Sequence, residues 1–455
     1  MKLLLVCGSI APAQSIASIR WTKIAKYLKL QHPEIHITVL TNEKDFTNNP
    51  NSLWPTRKDD LLEKDRIYFD RYWVVADSSR MLKRHQRLNQ LKRLWYSKKT
   101  DQKLSGPVKP TAKVNGIRVN QRGALQSIKY NLFCLREYRS DALYCDNFMT
   151  FLRDKPMDFD VVISSFGPAW THRVAEQIKK LNPEIKWFAD FRDPYARQSD
   201  TAFGFWLHQH FCQKHCVIAD TVLKVAATML TSTPKTVPVE VITNGYDPAE
   251  AKEPLPPDHF NLLYAGTLYG EKTDFSVLFQ AVQAIMEEKE LPEGDITVEY
   301  CGISGDEFEK QTAKAKAEGI ARNFGELARK DAIKKMQKAA ILLQLNVNIQ
   351  GYLDGFTGKA YECMMSKKPC VSVVVGDIPY SCKAQNDKKL GSATYEQCRH
   401  DETYVLIKQY IWEKYCEWKN TGNVHIVQER AFVEQFSYPE IAEKVFNLIN
   451  IRMEQ

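Results

Sequence analysis

The sequence predicts an α/β protein built from two doubly wound domains, and three observations predict it. At 455 residues the chain is too long for one ordinary hydrophobic core, and its 44% apolar content is that of a globular protein. Short β-rich apolar runs alternate with helix-like spacing, the pattern of a parallel sheet. That pattern stops at a Pro-rich, charged stretch, 247–259, and then restarts.

In chain order, the first half offers strands at KLLLVCGS (2–9), HITVLT (36–41), DVVISS (160–165), KWFADF (186–191) and CVIAD (216–220). After VEVITNG (239–245), the second half repeats the theme with NLLYAGTL (261–268), ITVEYCG (296–302), AILLQLN (340–346) and PCVSVVV (369–375). Residues 1–238 are expected to form the first domain and 239–430 the second, with 431–455 a closing helix that either completes the second domain or crosses back to the first. Each half opens with a strand running into a Gly-containing loop and a helix, which places loops at the carboxyl edge of each sheet and a cleft between the two.

Between the second and third strands lies an insert, about 55–155, too long for a plain connection. Apolar spacing predicts helices over 70–96 and 126–153, and Gly, Pro and seven basic residues predict a mobile loop over 97–123. From Arg80 to Arg139 there are 16 Lys and Arg against only Asp101 and Glu137; this net +14 in a chain of +8 leaves −6 for the remainder. Two readings stand open: a segment that associates with an anionic membrane surface, or helices that cap the first domain with a solvated basic face. Nucleic-acid binding by the same segment would leave the paired domains without a purpose, so no nucleic acid is expected.

The opening MKLLLVCGSIAPA has too short an apolar run for a secretory signal, and no stretch of about 20 apolar residues follows that could span a bilayer. The expected location is cytoplasmic, with peripheral association at the inner face of the plasma membrane if the basic insert serves that end. The 11 cysteines are scattered, odd in number and without a Cys-x-x-Cys pair, as for reduced thiols. Cys212, His215 and Cys216 share helical spacing, but no second ligand pair follows at a zinc-like separation, so no metal is expected.

Three motifs carry candidate chemistry. FTGKAYECM (356–364), after GYLDG, opens a helix at a sheet edge. Thr357 is a candidate N-cap, Gly358 lets backbone approach a ligand, and the first-turn N–H groups with Lys359 suit a diphosphate. Asp354 and Glu362 would flank the same pocket, carboxylates able to accept from sugar and ribose hydroxyls; an ordinary capped helix with a solvent-facing Glu is the plainer alternative. YAGTLYGEK (264–272) ends a strand in Gly266 and Thr267, a phosphate-facing turn with Lys272 available to neutralise a departing diphosphate. With no Gly-x-Gly-x-x-Gly, a nicotinamide or flavin cofactor is disfavoured. The third motif, DFRDPY (190–195), lies with SSFGPAWTH (164–172) at the carboxyl edge of the first sheet. Asp190, Arg192 and Asp193 form either a local charge cluster or part of an acceptor site, and His172 is either a polar helix residue or a group that meets a sugar hydroxyl or a transferred proton.

These residues resemble bacterial glycosyltransferase family 4, of the GT-B fold, through the Gly8-Ser9 loop, SSFGPAWTH, DFRDPY, ITNGYD (242–247), YAGTLY and GYLDGFTGKAYECMMSKKP, nearly end to end. The resemblance implies two facing Rossmann-like domains and retaining, metal-independent transfer of a sugar from a nucleotide-sugar to a hydroxyl of a saccharide or lipid-linked diphosphate acceptor, in the building of capsule, lipopolysaccharide or exopolysaccharide. It implies that Glu362 holds the donor ribose, that Asp354 contacts the transferring sugar, that the backbone of Gly355, Phe356, Thr357 and Gly358 approaches sugar and phosphate, and that Phe324 and Leu327 of RNFGEL meet the nucleobase. Asp354 stands where the family commonly has Glu, and Lys272 with Lys359 stands for its usual Arg and Lys. Gly8, Ser9, Asp190, Arg192 and Asp193 fall on the acceptor side. A non-catalytic nucleotide-sugar or carbohydrate-binding subunit and a nucleotide-sugar epimerase of related fold are the rival readings.

Overall fold

The computed structural model describes the chain except residues 14, 44–58, 79–109, 115–116, 121–122, 197–199, 230–232, 252, 271–272, 348–355, 377–378 and 380–386. It divides into two compact units, Met1–Thr243 with Ile441–Gln455, and Asn244–Glu440.

The first unit begins with β1 (Lys2–Cys7), α1 (Ile16–Gln31), β2 (His36–Asn42), α2 (Asp60–Lys64) and β3 (Arg71–Val75). It continues through β4 (Pro110–Val114), β5 (Ile117–Asn120), α3 (Ala124–Leu152), β6 (Val161–Ser165), α4 (Trp170–Leu181), β7 (Lys186–Phe191), α5 (Ala202–Ile218), β8 (Thr221–Lys224) and β9 (Val239–Val241). Its main sheet is seven-stranded and parallel, in the order β3-β2-β1-β6-β7-β8-β9. The central strands are apolar on both faces because helices cover both, so Leu3, Leu4, Leu5, Val161, Val162 and Ile163 are all buried.

Several sequence expectations shift here. Arg71–Val75, inside the expected 70–96 helix, is an edge strand pairing with β2. Cys216 to Ile218 end α5 and are not a strand; the strand starts at Thr221. The expected loop 97–123 contains the antiparallel hairpin β4–β5, and the rest of it lies outside the described residues except Gly123, the N-cap of α3. Val239–Val241 pairs with β8, which moves 239–243 from the second domain into the first unit.

The second unit carries β10 (Phe260–Ala265), α6 (Ser276–Glu288), β11 (Ile296–Cys301), α7 (Gly305–Ala315), β12 (Ala321–Asn323), α8 (Arg329–Lys338) and β13 (Ile341–Val347). It goes on with α9 (Gly358–Ser366), β14 (Cys370–Val375), α10 (Asp387–Leu390), β15 (Ser392–Glu396), α11 (His400–Thr421) and α12 (Arg430–Glu434). The sheet order, β12-β11-β10-β13-β14-β15, repeats the arrangement of the first. Aromatic packing among Tyr264, Phe275, Tyr300 and Phe308 fills the side under α6 and α7.

α13 (Tyr438–Met453) starts in the second unit and ends in the first. There Phe446 stacks on His32 at 3.5 Å, Glu443 pairs with that same imidazole at 2.8 Å, and the Lys444 ammonium donates to the Val241 carbonyl at 2.8 Å.

Candidate functional site

A doubly wound sheet opens a crevice where the strand order reverses, outside the carboxyl ends of the two central strands. In the second unit that point lies between β10 and β13. The chain leaves β10 through Gly266 and Thr267, and α9 begins shortly after β13 ends. The two meet: a Cβ built on Gly266 would stand 2.9 Å from Lys359 Cε, so the Lys359 side chain lies directly over the turn. Tyr300 braces the turn from below, its hydroxyl donating to the Gly266 carbonyl at 2.9 Å and accepting from the Ser304 N–H at 2.8 Å.

Thr357 occupies the N-cap of α9 with extended backbone, but its side chain makes no capping bond, so the hydroxyl does not take up a first-turn N–H. Lys359 reaches forward along the helix to Glu362, Nζ to Oε2 2.6 Å, and both side chains are partly exposed. A cation, a carboxylate and a helix amino terminus therefore converge beside Gly266, a combination that accepts an anion and offers a hydroxyl acceptor next to it. Phe356 is turned the other way, against Phe436, Tyr361 and Phe432, and pins the start of the helix.

Phe324, 42% exposed, carries the Lys335 ammonium 3.4 Å from its ring centroid, while Leu327 packs onto the Leu263 and Cys301 cluster. Lys335 also pairs with Glu299 at 2.8 Å. Glu299 is fully buried on β11 and further held by His259 and Asn261; burial would raise its pKa, but these partners lower it. This cluster was not foreseen, and only the acidic residue in the apolar run ITVEYC signals it. Lys272, Asp354 and Gly355 lie outside the described residues.

The first unit has the same switch point, between β1 and β6. Gly8 and Ser9 follow β1 there, and a Cβ on Gly8 would meet Pro168 Cδ at 2.0 Å. Arg192 staples this edge, donating from Nε to the Phe166 carbonyl at 2.8 Å and from Nη2 to the Gly167 carbonyl, with Asp193 at 3.5 Å. Asp190 does not reach the surface: it is 0% exposed and engaged by Arg20, Trp21 and Ser165. Arg20, a partner that sequence reasoning missed, also donates to the Ile242 and Thr243 carbonyls, where the chain leaves the first unit.

His172 was expected where it could meet a sugar hydroxyl. It is instead 0% exposed, bonded to Ser164 Oγ at 2.8 Å and ringed by Phe191, Phe166 and Trp187. Burial holds its pKa well below the ordinary value, so the ring is neutral and sits behind the surface. Cys212, His215 and Cys216 do share α5, where His215 pairs with Glu176 at 2.9 Å.

No protein-family model matches the chain, and no curated protein does. Solved structures do match in fold. A sucrose-phosphate synthase from Thermosynechococcus elongatus superposes with a TM-score of 0.58 at 11% identity, over 99% of this chain and 98% of that one. A structure from E. coli described as trehalose-6-phosphate bound with UDP-2-fluoro glucose gives 0.58 at 13% identity, over 99% of each chain. TarM gives 0.53 at 12%, over 99% and 98%. The fold is GT-B, with two Rossmann-like units.

Proposed function

We propose that the protein is a retaining glycosyltransferase that moves a sugar from a nucleotide-sugar to a hydroxyl of a saccharide or lipid-linked saccharide, in capsule, lipopolysaccharide or exopolysaccharide building, at the inner face of the plasma membrane. One observation carries the reading: at the switch point of the second sheet, Gly266, the amino terminus of α9 and the Lys359–Glu362 pair converge on one spot. The GT-B fold supports it, as does the nucleotide-sugar named with one structural neighbour.

In this reading the first turn of α9 and Lys359 hold the diphosphate and stabilise the charge that grows on it as the sugar leaves. Glu362 accepts from the ribose hydroxyls, and its pairing with Lys359 keeps both side chains aimed at the same place. Phe324 and Leu327 border the base, and Asp354 and Lys272 complete the sugar and phosphate contacts. The incoming hydroxyl approaches on the face of the departing diphosphate, whose oxygen takes its proton, so neither a protein nucleophile nor a metal is required. Gly8, Ser9, Arg192 and Asp193 form the acceptor-side edge, with Asp190 and His172 shaping it from beneath.

Thermal unfolding with a panel of nucleotide-sugars tests this. One donor is expected to raise the melting temperature of the wild type and to leave Glu362→Ala unmoved. No shift with any nucleotide-sugar or nucleoside diphosphate would remove the reading.

A further inference from the structure

The first unit exposes apolar side chains where a folded surface would ordinarily be polar. On α3, Leu125, Ile128, Leu132 and Leu135 are 76%, 55%, 48% and 39% exposed, and their spacing puts them on one face. The opposite face is fully occupied: Tyr130 donates to Asp200, Thr201 donates to Asn131, and Cys134 packs at Gly204. Among the described residues the stripe is therefore left exposed by its own unit. α5, which packs on α3 through those contacts, carries a second stripe of Phe203, Trp206 and Val217 at 39%, 54% and 58% exposure, with His210 stacked on Trp206. Two neighbouring helices that both turn aliphatic and aromatic groups outward mark an interaction surface.

Charge decides what it meets. Lys129, Arg136 and Arg139 are exposed along the α3 stripe, and the segment leading into it is strongly basic by sequence. A second copy of the same face would bring those cations together, whereas an anionic bilayer offers them counter-charges and the stripe an apolar interior. Trp206 suits the level of the lipid headgroups, where its ring is buried while its N–H stays wet, and Phe203 adds apolar area beside it.

We infer that the α3–α5 face docks on an anionic lipid surface, with Leu125, Ile128, Leu132 and Trp206 entering the headgroup region and Lys129, Arg136 and Arg139 lying over it. This deepens the peripheral location proposed above, rests on that location alone, and assigns it to an inserted apolar face in place of the basic segment acting by charge only.

The test is flotation of the full chain with vesicles of phosphatidylcholine, with and without phosphatidylglycerol, for wild type and Leu132→Ser/Trp206→Ser. The wild type is expected to float with the mixed vesicles, and the variant to bind them at least about tenfold more weakly. Both substitutions are at exposed sites, so an unchanged circular dichroism spectrum and melting temperature establish that the loss is of binding. Three outcomes overturn the inference. In one, the variant floats like the wild type and salt releases both, which leaves charge on the basic segment as the only attraction. In another, the wild type floats with neither vesicle. In the third, light scattering finds a wild-type dimer that the variant breaks, without vesicle binding, which gives the face to a second copy. The donor shift is read on the same preparations: its absence alongside flotation would fail the transferase reading and leave the lipid-docking face standing.

Discussion

Asp190→Asn separates a structural carboxylate from an acceptor-binding one. In the folded chain Asp190 Oδ1 accepts from Arg20 Nη2 at 2.8 Å, while Oδ2 accepts from Trp21 Nε1 at 2.7 Å, Arg20 Nε at 3.2 Å and Ser165 Oγ at 3.2 Å. An asparagine supplies a single acceptor oxygen. If that oxygen replaces Oδ2, its NH2 group faces Arg20 Nη2; if it replaces Oδ1, the NH2 faces Trp21 Nε1 and Arg20 Nε. Either way a donor opposes a donor, and the Arg20 guanidinium, its side chain 1% exposed, keeps its charge while losing the Asp190 charge that opposes it. Removing one partner of a buried, hydrogen-bonded ion pair costs about 3–5 kcal/mol. Urea unfolding followed by tryptophan emission reads this in the right place, because Trp21, Trp170 and Trp187 are all buried in the first unit. The expected result is a first-unit transition shifted down by that amount. A variant within about 1 kcal/mol of wild type would refute the structural role.

Two further perturbations test the same unit. His208 is pushed up to about 9: burial alone would lower its pKa, but the hydrogen bonds to Asp200 and Cys134 override it. Because the folded-state value lies above the ordinary 6.5, the stabilisation is complete below that pH and fades as pH rises through 9. The wild type is thus expected to lose up to about 3 kcal/mol more than His208→Gln between neutral pH and pH ~10, measured by urea midpoints; parallel curves would sink the argument. Gly8→Ala puts a methyl where Pro168 Cδ would be 2.0 Å away, in a ring that cannot swing aside. It should cost about 2 kcal/mol or more, and a melting temperature equal to wild type would show that the edge relaxes freely.

What was readable in the sequence was local. The central strands β1, β6, β10, β11, β13 and β14 announce themselves because parallel strands covered on both faces must be apolar without interruption. Edge strands carry no such signature: Ala321–Asn323 and Ser392–Glu396 are short and polar, and Arg71–Val75 hides among aromatics at helical spacing. The 216–220 run misleads for a related reason, since a buried helix end and a buried strand have the same composition over five residues.

The candidate site residues divide along the same line. The placement of the candidates Gly266, Thr357 and Lys359 was legible because each sits on a loop or helix start that the topology delivers to one sheet edge, so sequence order already fixes the neighbourhood. The Arg20–Asp190 pair is separated by 170 residues and depends on α1 lying against β7 in three dimensions, and His172 shares its helix pattern with residues that do reach the surface. A charged residue at the end of a buried strand is thus ambiguous from sequence alone. It can face a ligand, as the edge position invites, or turn inward to hold a cation that crosses beneath the loops, as Asp190 does. Burying the pair is costly unless every donor is met, and here the carboxylate and two carbonyls meet them; such a cluster fixes the loop above it in one arrangement. Asp190 therefore belongs to the edge that would receive an acceptor without touching one, and substitutions there should show first in folding and only through folding in turnover.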